Sequence, residues 1–460
     1  MDCKKGYARV ISWILIILFV CTMSGCSILH EMVPEIIPHQ WEDSSVIREA
    51  TCTEEGVKEI KCVLCGQKQN KAISLTEHSF SSNWLFDGQK HWHKCENCNE
   101  ISQYSEHQMQ FQNGKNKCLV CLYEQEEAKG ELSFHFMMLG NDKAGDCIYI
   151  KAGENDILID GGSYYDSIDD ISNYVDRYCD DNTLEYVIVT HADEDHIACF
   201  GGAKNGESLF DKYEVSTIID FPKTNKTTAV YQRYCSERQA EIDDGNSVHY
   251  TALECYNNEN GAKRIYNLTE DGNIKMEILY NYYYENKSDE ENNYSVCVMF
   301  YHGGRQFLFT GDLEKEGEEK LAQKYDFAQV ELFKLGHHGS YSSSNEVLLK
   351  EIKPKICVAT ACAGSVQYTD ILDNTFPSQA VISRICKYTE KIYVPTTVKI
   401  EQVGKLKDGS PDYKNTGESI ILNGNIVVIS EPGKEVYVDC SNNNTLLKDT
   451  DWFREYRKWN

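Results

Sequence analysis

The stretch YVIVTHADEDHIACFGG, Tyr186 to Gly202, begins as an apolar, β-branched run and ends in a loop that packs four potential metal ligands, His191, Asp193, Asp195 and His196, into six residues. Tyr186–Thr190 has the length and composition of a buried strand. Imidazoles and carboxylates so crowded repel or desolvate one another unless a divalent cation neutralises them, because an isolated buried carboxylate is costly. The stretch therefore reads as a strand delivering metal ligands from its C-terminal end. The competing reading is a solvated acidic loop.

Working outward, residues 132–429 alternate short Val/Ile/Phe-rich runs with amphipathic segments. Strands are predicted near 156–160, 186–190, 216–220, 274–280, 294–301, 306–310, 330–335, 355–360 and 425–430, and helices near 167–179, 227–242, 314–325, 344–352 and 378–388. This is the pattern of a layered α/β domain of roughly 300 residues. Two more predicted strands end in polar groups: Thr310-Gly311-Asp312, and Gly336-His337-His338-Gly339-Ser340. Each alone is weak, since an Asp after a strand is most often a helix cap and a His pair most often a loop. All lie at strand C-termini, where sites on α/β sheets collect, and together they form one constellation.

The chain has 460 residues, 41% of them apolar, enough for a packed core. Its formal charge of −26 argues against nonspecific adhesion to nucleic acid, which draws on Lys and Arg neutralising phosphates. Any phosphate chemistry needs a local cation.

Taken in order, Asp160 in ILIDGG, HADEDH, the pair NNYSVCVMF and FLFTGDLE, and LGHHGSYSSSNEVLLKEIKPKICVAT resemble the metallo-β-lactamase fold, and within it the hydrolase domain of the ComEC competence proteins and their free-standing relatives. The resemblance implies a four-layer αββα sandwich over about residues 131–435. It implies that Asp160 braces the metal loop, that His191 and Asp193 hold one metal, that Asp195, His196 and His337 hold a second, and that Asp312 bridges. The pattern His-x-His-x-Asp-His stands here as His-x-Asp-x-Asp-His. A further His that many relatives supply to the first metal has no clear counterpart, since His249 lies in an unrelated context. The first site is short of a ligand, and the oxygen-rich set suits Mn²⁺ or Fe as well as Zn²⁺, with one or two ions.

Such a site implies hydrolysis by metal-activated water. Asp195 or Asp312 would take the proton from that water, while His338, Ser340 and Ser342 either contact a phosphate or leaving group or only shape the loop. Backbone N–H groups of the GHHGS turn, ahead of the helix expected near Ser344, would favour an anion. Likeness to the ComEC branch points to a phosphodiesterase or nuclease acting on nucleic acid or a cell-envelope polymer. Lactonase or β-lactamase-like hydrolysis is one alternative; a catalytically weakened surface binding protein is another.

The N-terminal part reads separately. Residues 1–25 carry Lys4, Lys5 and Arg9, an apolar run from Val10 to Met23, and Ser24-Gly25 before Cys26, the layout of an export signal. The run is shorter than the ~20 residues a spanning helix needs. Met23-Ser24-Gly25-Cys26 resembles a bacterial lipobox, which implies lipidation of Cys26, residues 26–48 as a tether, and a protein anchored on the outer face of a bacterial cytoplasmic membrane. No obligate protein partner is evident.

Residues 49–123 hold Cys52 and three Cys-x-x-Cys knuckles, Cys62/Cys65, Cys95/Cys98 and Cys118/Cys121. A knuckle places two thiolates on one side of a tight turn at Zn²⁺ distance, and so short a segment with few aliphatics needs cross-linking to fold. Two structural zinc sets are expected: Cys52, Cys62, Cys65 and His78, and Cys95, Cys98, Cys118 and Cys121. His93 and His107 compete as ligands, and disulfides are the alternative. The segment resembles Cys/His ribbon repeats of exported proteins. The ten cysteines from Cys147 onward lack knuckle spacing and read as buried free thiols. The tail, 436–460, carries aromatics at helical spacing and should pack as a helix.

Overall fold

The computed structural model describes residues 38–460 except 88–89, 113–114, 124–131, 205, 246, 408 and 410. The signal, Cys26 and residues 26–37 of the predicted tether lie outside the described residues, as do residues 124–131; Trp41–Arg48, also assigned to the tether from the sequence, is instead a strand paired with Gly56–Cys62. No helix among the described residues is long and apolar enough to cross a membrane. The chain forms two compact units: residues up to Gln108 with Cys118–Tyr123, and Met109–Lys117 with Glu124–Asn460.

The first unit is built from antiparallel hairpins. Trp41–Arg48, Gly56–Cys62 and Lys68–Ile73 form one three-stranded sheet, and Leu85–Phe86, Lys90–Lys94 and Ile101–Glu106 another. Its buried apolar residues, among those described, are Ile60 and four cysteines, Cys52, Cys62, Cys95 and Cys118. A unit whose interior is mostly thiol has little hydrophobic burial to set against chain entropy.

In the second unit two sheets face each other. The eight-stranded sheet runs, in spatial order, Val248–Thr251, Glu214–Asp220, Thr183–Ile188, Asn155–Gly162, Asp146–Ala152, Leu132–Phe136, Ile426–Ser430 and Tyr437–Cys440. Its first four strands are parallel to one another, and the rest pair antiparallel. The seven-stranded sheet runs Ile265–Asn267, Ile274–Leu279, Cys297–His302, Arg305–Phe309, Leu332–Lys334, Ile356–Val358 and Ile392–Tyr393, antiparallel at first and parallel from Arg305–Phe309 onward.

The faces meet through aromatic contacts. The ring of Phe134 lies 5.5, 4.8 and 5.3 Å from those of Phe300, Phe307 and Phe309. The opposite face of the first sheet is covered by helices including Ile168–Val175, Glu194–Gly201 and Ala229–Asp243. The far face of the second is covered by Lys315–Lys324, Glu346–Ile352 and Gln379–Ile385. The fold is the expected four-layer αββα sandwich, preceded by ribbon-like Cys/His modules.

Two further features depart from the expectations drawn from the sequence. Glu194–Gly201 is helical from within the ligand loop itself, with Asp193 at its N-cap position. Residues 437–440 pair with Ile426–Ser430 as an edge strand, so the expected helical tail is reduced to Asp451–Tyr456. Trp452 and Phe453 are buried against the second sheet's helical layer, as anticipated for an aromatic stripe. All described cysteines are unbridged, and most of those from Cys147 onward are buried.

Candidate metal centre

The parallel strands of both sheets deliver their C-termini to one edge. Asp160, near the end of Asn155–Gly162, adopts φ +62°. Its carboxylate accepts from the Thr190 N–H and hydroxyl, both at 2.7 Å, and meets His196 Nδ1 at 2.8 Å. Asp160 thus ties one strand end to the next and holds the His196 ring by its back nitrogen. That leaves Nε2 facing inward, the arrangement in which a second carboxylate orients a metal-binding imidazole.

Inward-facing groups converge there. Asp312 Oδ2 lies 3.2 Å from His196 Nε2 and 3.3 Å from His338 Nε2, and Asp195 Oδ2 lies 3.4 Å from His338 Nε2. Ligands bound at ~2.0–2.2 Å around one ion stand roughly 3.0–3.6 Å apart, so these spacings suit one divalent cation. The Nε2 atoms of His191, His196 and His338 are buried without a hydrogen-bond partner. Burial alone would push His196 and His338 down, but Asp312 with Asp160, and Asp312 with Asp146, hold them well above the ordinary histidine value. Burial would likewise raise Asp195 and Asp312; the neighbouring histidines outweigh it and keep both below the usual carboxylate range. A cluster that draws protons onto its imidazoles to balance its carboxylates is one a divalent cation fits.

The paired histidines exchange places relative to the sequence reading. His337, the expected ligand, is part-exposed; its Nε2 is 4.0 Å from Asp312, and its Nδ1 is surrounded by Ser342 Oγ at 3.1 Å, Asn292 Nδ2 at 3.3 Å and Glu314 Oε1 at 3.6 Å. His338, expected to meet substrate, is the one buried in the cluster. Both residues have positive φ, 50° and 53°, a turn that sends consecutive side chains in directions no strand alternation anticipates. His191 and Asp193 do come together, at 3.5 Å, beside the cluster. Of the GHHGS turn's N–H groups, expected to favour an anion, Gly336 donates to Ser344 Oγ at 3.0 Å, His337 to the Gly311 carbonyl at 3.3 Å and Ser340 to the His337 carbonyl at 2.7 Å, while the N–H groups of Ser344 and Asn345 donate to Glu318 at 2.6 and 2.8 Å.

Four residues escaped the sequence reading. Asp146 opens a strand and contacts the Nδ1 atoms of His338, at 3.2 Å, and His196, at 3.8 Å. Although near the cluster, it lies behind both rings and so acts as a second brace beside Asp160. Buried Lys334 pairs with Asp146 and lies 3.3 Å from Asp312. Lys226 pairs with Asp193, and the Tyr368 hydroxyl donates to Asp195 at 2.8 Å. Only Lys334 carried a signal, a lysine inside an apolar strand two residues before Gly336.

Above the cluster opens a cleft of about 340 Å³ lined by Lys143, Asp195, Asp312, His337 and Tyr368 among others.

The first unit regroups its expected ligands. Cys52, His78, Cys95 and Cys98 gather as one cluster, His91, His107, Cys118 and Cys121 as a second, and His39, Cys62 and Cys65 as a third. Cys52 Sγ–Cys95 Sγ is 3.9 Å and Cys98 Sγ–His78 Nδ1 3.3 Å; in the second cluster the separations are 3.3–3.6 Å. A tetrahedral zinc with S at ~2.3 Å and N at ~2.0–2.1 Å sets its ligands roughly 3.3–3.8 Å apart. Cys52 and His78, expected with the Cys62/Cys65 knuckle, thus join Cys95/Cys98 instead, and Cys118/Cys121, expected with Cys95/Cys98, gathers His91 and the competing candidate His107. His93 instead stacks on Trp84 at 3.8 Å. The first cysteine of each knuckle is pulled down to about 6, in Cys95 chiefly by the Asn97 N–H, and in Cys62 and Cys118 against burial by histidines and turn N–H groups.

Residues 140–205 match the model of the metallo-β-lactamase superfamily. ComE operon protein 3 of Bacillus subtilis is 26% identical over 183 residues, 39% of this chain and 20% of that protein. Competence protein ComA of Neisseria gonorrhoeae is 40% identical over 80 residues, 17% of this chain and 11% of that protein. Recombination protein 2 of Haemophilus influenzae is 22% identical over 209 residues, 45% and 21%. The chain spans about a fifth or less of the length of these relatives. A solved structure from Thermotoga maritima, described as a Zn-dependent hydrolase of the metallo-β-lactamase superfamily, aligns over 56% of this chain and 87% of its own, with 10% identity and a TM-score of 0.23, too slight a likeness to place any residue.

Proposed function

We propose that the second unit is a metal-dependent hydrolase of phosphodiesters. The observation that carries this reading is the convergence of buried, partnerless imidazole nitrogens with Asp195 and Asp312 at the floor of an open cleft. Asp195, His196, Asp312 and His338 would hold a divalent ion, Zn²⁺ or Mn²⁺. Such an ion polarises a phosphoryl oxygen and makes hydroxide available near neutral pH.

The chain's own groups do the rest. Asp160 and Asp146 fix the two imidazoles, so no reorganisation accompanies the reaction. Asp195 or Asp312, kept below the usual carboxylate range by the neighbouring histidines, would accept the proton of the attacking water. Tyr368 steadies Asp195. His337, whose Nδ1 is fixed by the Ser342, Asn292 and Glu314 group, lines the cleft and is placed to protonate a leaving oxygen. Lys143 on the cleft wall offers a cation to an anionic substrate.

Phosphodiesters are favoured over lactones or β-lactams by these cationic and proton-donating groups and by the likeness to a competence protein and a recombination protein. With a charge of −26 on the whole chain, attraction for a polyanion must come from the site itself. Purified protein with Mn²⁺ should hydrolyse bis-p-nitrophenyl phosphate and single-stranded DNA or an envelope phosphodiester. Inactivity on every ester tried, with metal bound, would favour a surface binding role.

The Cys/His clusters of the first unit are read as structural zinc sites. Export and anchoring through Cys26 complete the reading: labelled palmitate should enter the protein and be absent from Cys26→Ser.

A further inference from the structure

Beside the metal cluster lies a second, incomplete ligand set, and a lysine occupies it. His191 Nε2, buried and without a hydrogen bond, stands 3.5 Å from Asp193 Oδ2, and among the described residues no third ligand group completes a set with them. The two histidines between the loop and Asp312 are engaged elsewhere: His249 Nε2 lies 2.8 Å from Asp220 Oδ1, and His302 Nδ1 lies 2.9 Å from Ser430 Oγ. The Lys226 ammonium instead makes an ion pair with Asp193 Oδ1.

This lysine is held in place by its surroundings. Buried Glu291 accepts from the Thr224 hydroxyl and the Asn225 N–H, both at 2.6 Å, and from the Ala192 N–H at 3.4 Å. Thr224 Oγ1 in turn accepts from the Lys226 N–H at 2.9 Å. One buried carboxylate therefore fastens the turn carrying Lys226 to the backbone between His191 and Asp193. The ammonium is presented to Asp193 by a built connection, and its charge falls where a first metal would otherwise balance that carboxylate.

We propose that Lys226 acts as a fixed cation in place of the first metal, so that the hydrolase unit takes one divalent ion, at Asp195, His196, Asp312 and His338. This rests on the metal-dependent reading above and specifies its stoichiometry. An ammonium neutralises Asp193 but cannot be displaced by chelation, so the His191 side of the site keeps its charge balance when the exchangeable ion is gone. Lys226 is a positioning residue here, setting charge and ion number.

Manganese uptake by the full chain tests it, with the thiolate clusters first filled with zinc and a His338→Ala/Asp312→Ala double variant as the baseline. Equilibrium dialysis should find one Mn²⁺ above baseline in the wild type and in Lys226→Arg, with the EPR spectrum of an isolated ion. Lys226→Met should take up a second ion and show a spin-coupled pair. Two coupled ions in the wild type, or a Lys226→Met variant that stays at one, would overturn the proposal. Uptake by the wild type no greater than the baseline would instead sink the metal-dependent reading on which it rests.

Discussion

The two units gather metal-ligating side chains by opposite means. In the first, thiolates and imidazoles sit on short hairpins whose buried apolar residues are one isoleucine and four of the cysteines themselves. In the second, carboxylates and imidazoles stand at the ends of strands fixed by two large hydrophobic clusters. In the first unit the candidate ligands make up most of the buried interior; in the second a separate hydrophobic core positions them. Donor chemistry follows the same division, with soft sulfur in sets closed to substrate and a mixed oxygen and nitrogen set open to a cleft.

The largest expected effect separates the paired histidines. His338→Ala should lower phosphodiesterase activity by about 10³-fold or more and remove the hydrolase-site metal, leaving zinc in the first unit unchanged. His337→Ala should cost about 10²-fold, the scale of one proton donor, with the metal count intact. If His337→Ala loses the metal and His338→Ala keeps it, the expectation drawn from the sequence alone stands and the assignment to His338 fails.

Chelation should divide the units cleanly. Stripped of metal, the chain should become protease-sensitive within residues 50–122 while the sandwich stays resistant and inactive, because a unit with little core depends on zinc for its folding free energy whereas the sandwich has hydrophobic clusters of its own. Equal protection of both regions after stripping would break the contrast, and would point to disulfides or an adequate core in the first unit.

Smaller is the effect of Asp160→Asn. It should weaken metal affinity in the sandwich by about 10–100-fold without unfolding it, as removal of an orienting carboxylate does; isothermal titration with Mn²⁺ would read this. An unchanged affinity would mean that Asp146 alone orients the rings.

The smallest concerns pH. Burial holds His135, deep in the first sheet, down at about 3. A histidine depressed in the folded state binds its proton first in the unfolded chain. Its stabilising contribution is therefore present above pH ~6.5 and is lost as pH falls from there toward 3. The sandwich should lose stability over that range, and His135→Asn should flatten the slope. A slope unaltered by the substitution would assign the acid sensitivity to other groups, such as His302, which is also depressed, to about 4.

Much of the sandwich was legible because its signals are local. Runs such as Asp156–Asp160 and Gln306–Thr310 announce buried strands by composition alone, and the helix at 315–324 follows the 3.6-residue period, whereas Ala229–Asp243 buries only Val230 and Tyr234. Leu132–Phe136 and Asp146–Ala152 escaped, although both are central to the first sheet. Leu132–Phe136 interleaves Ser133 and His135 with apolar residues and Asp146–Ala152 opens on a carboxylate, and the polar His135 and Asp146 are buried by hydrogen-bonding partners far away in sequence.

What the sequence determined by itself was the kind of chemistry: knuckle spacing places pairs of thiolates, and HADEDH crowds carboxylates and imidazoles at a strand end. Only the tertiary structure decided the membership of each site. Which histidine of the pair faces inward depends on two successive positive φ values. Which knuckle joins which histidine depends on how hairpins cross. Asp146, Lys226 and Lys334 enter the centre from separate strands and loops, because electrostatic and hydrogen-bond partners are chosen by proximity in space and leave no mark in local spacing.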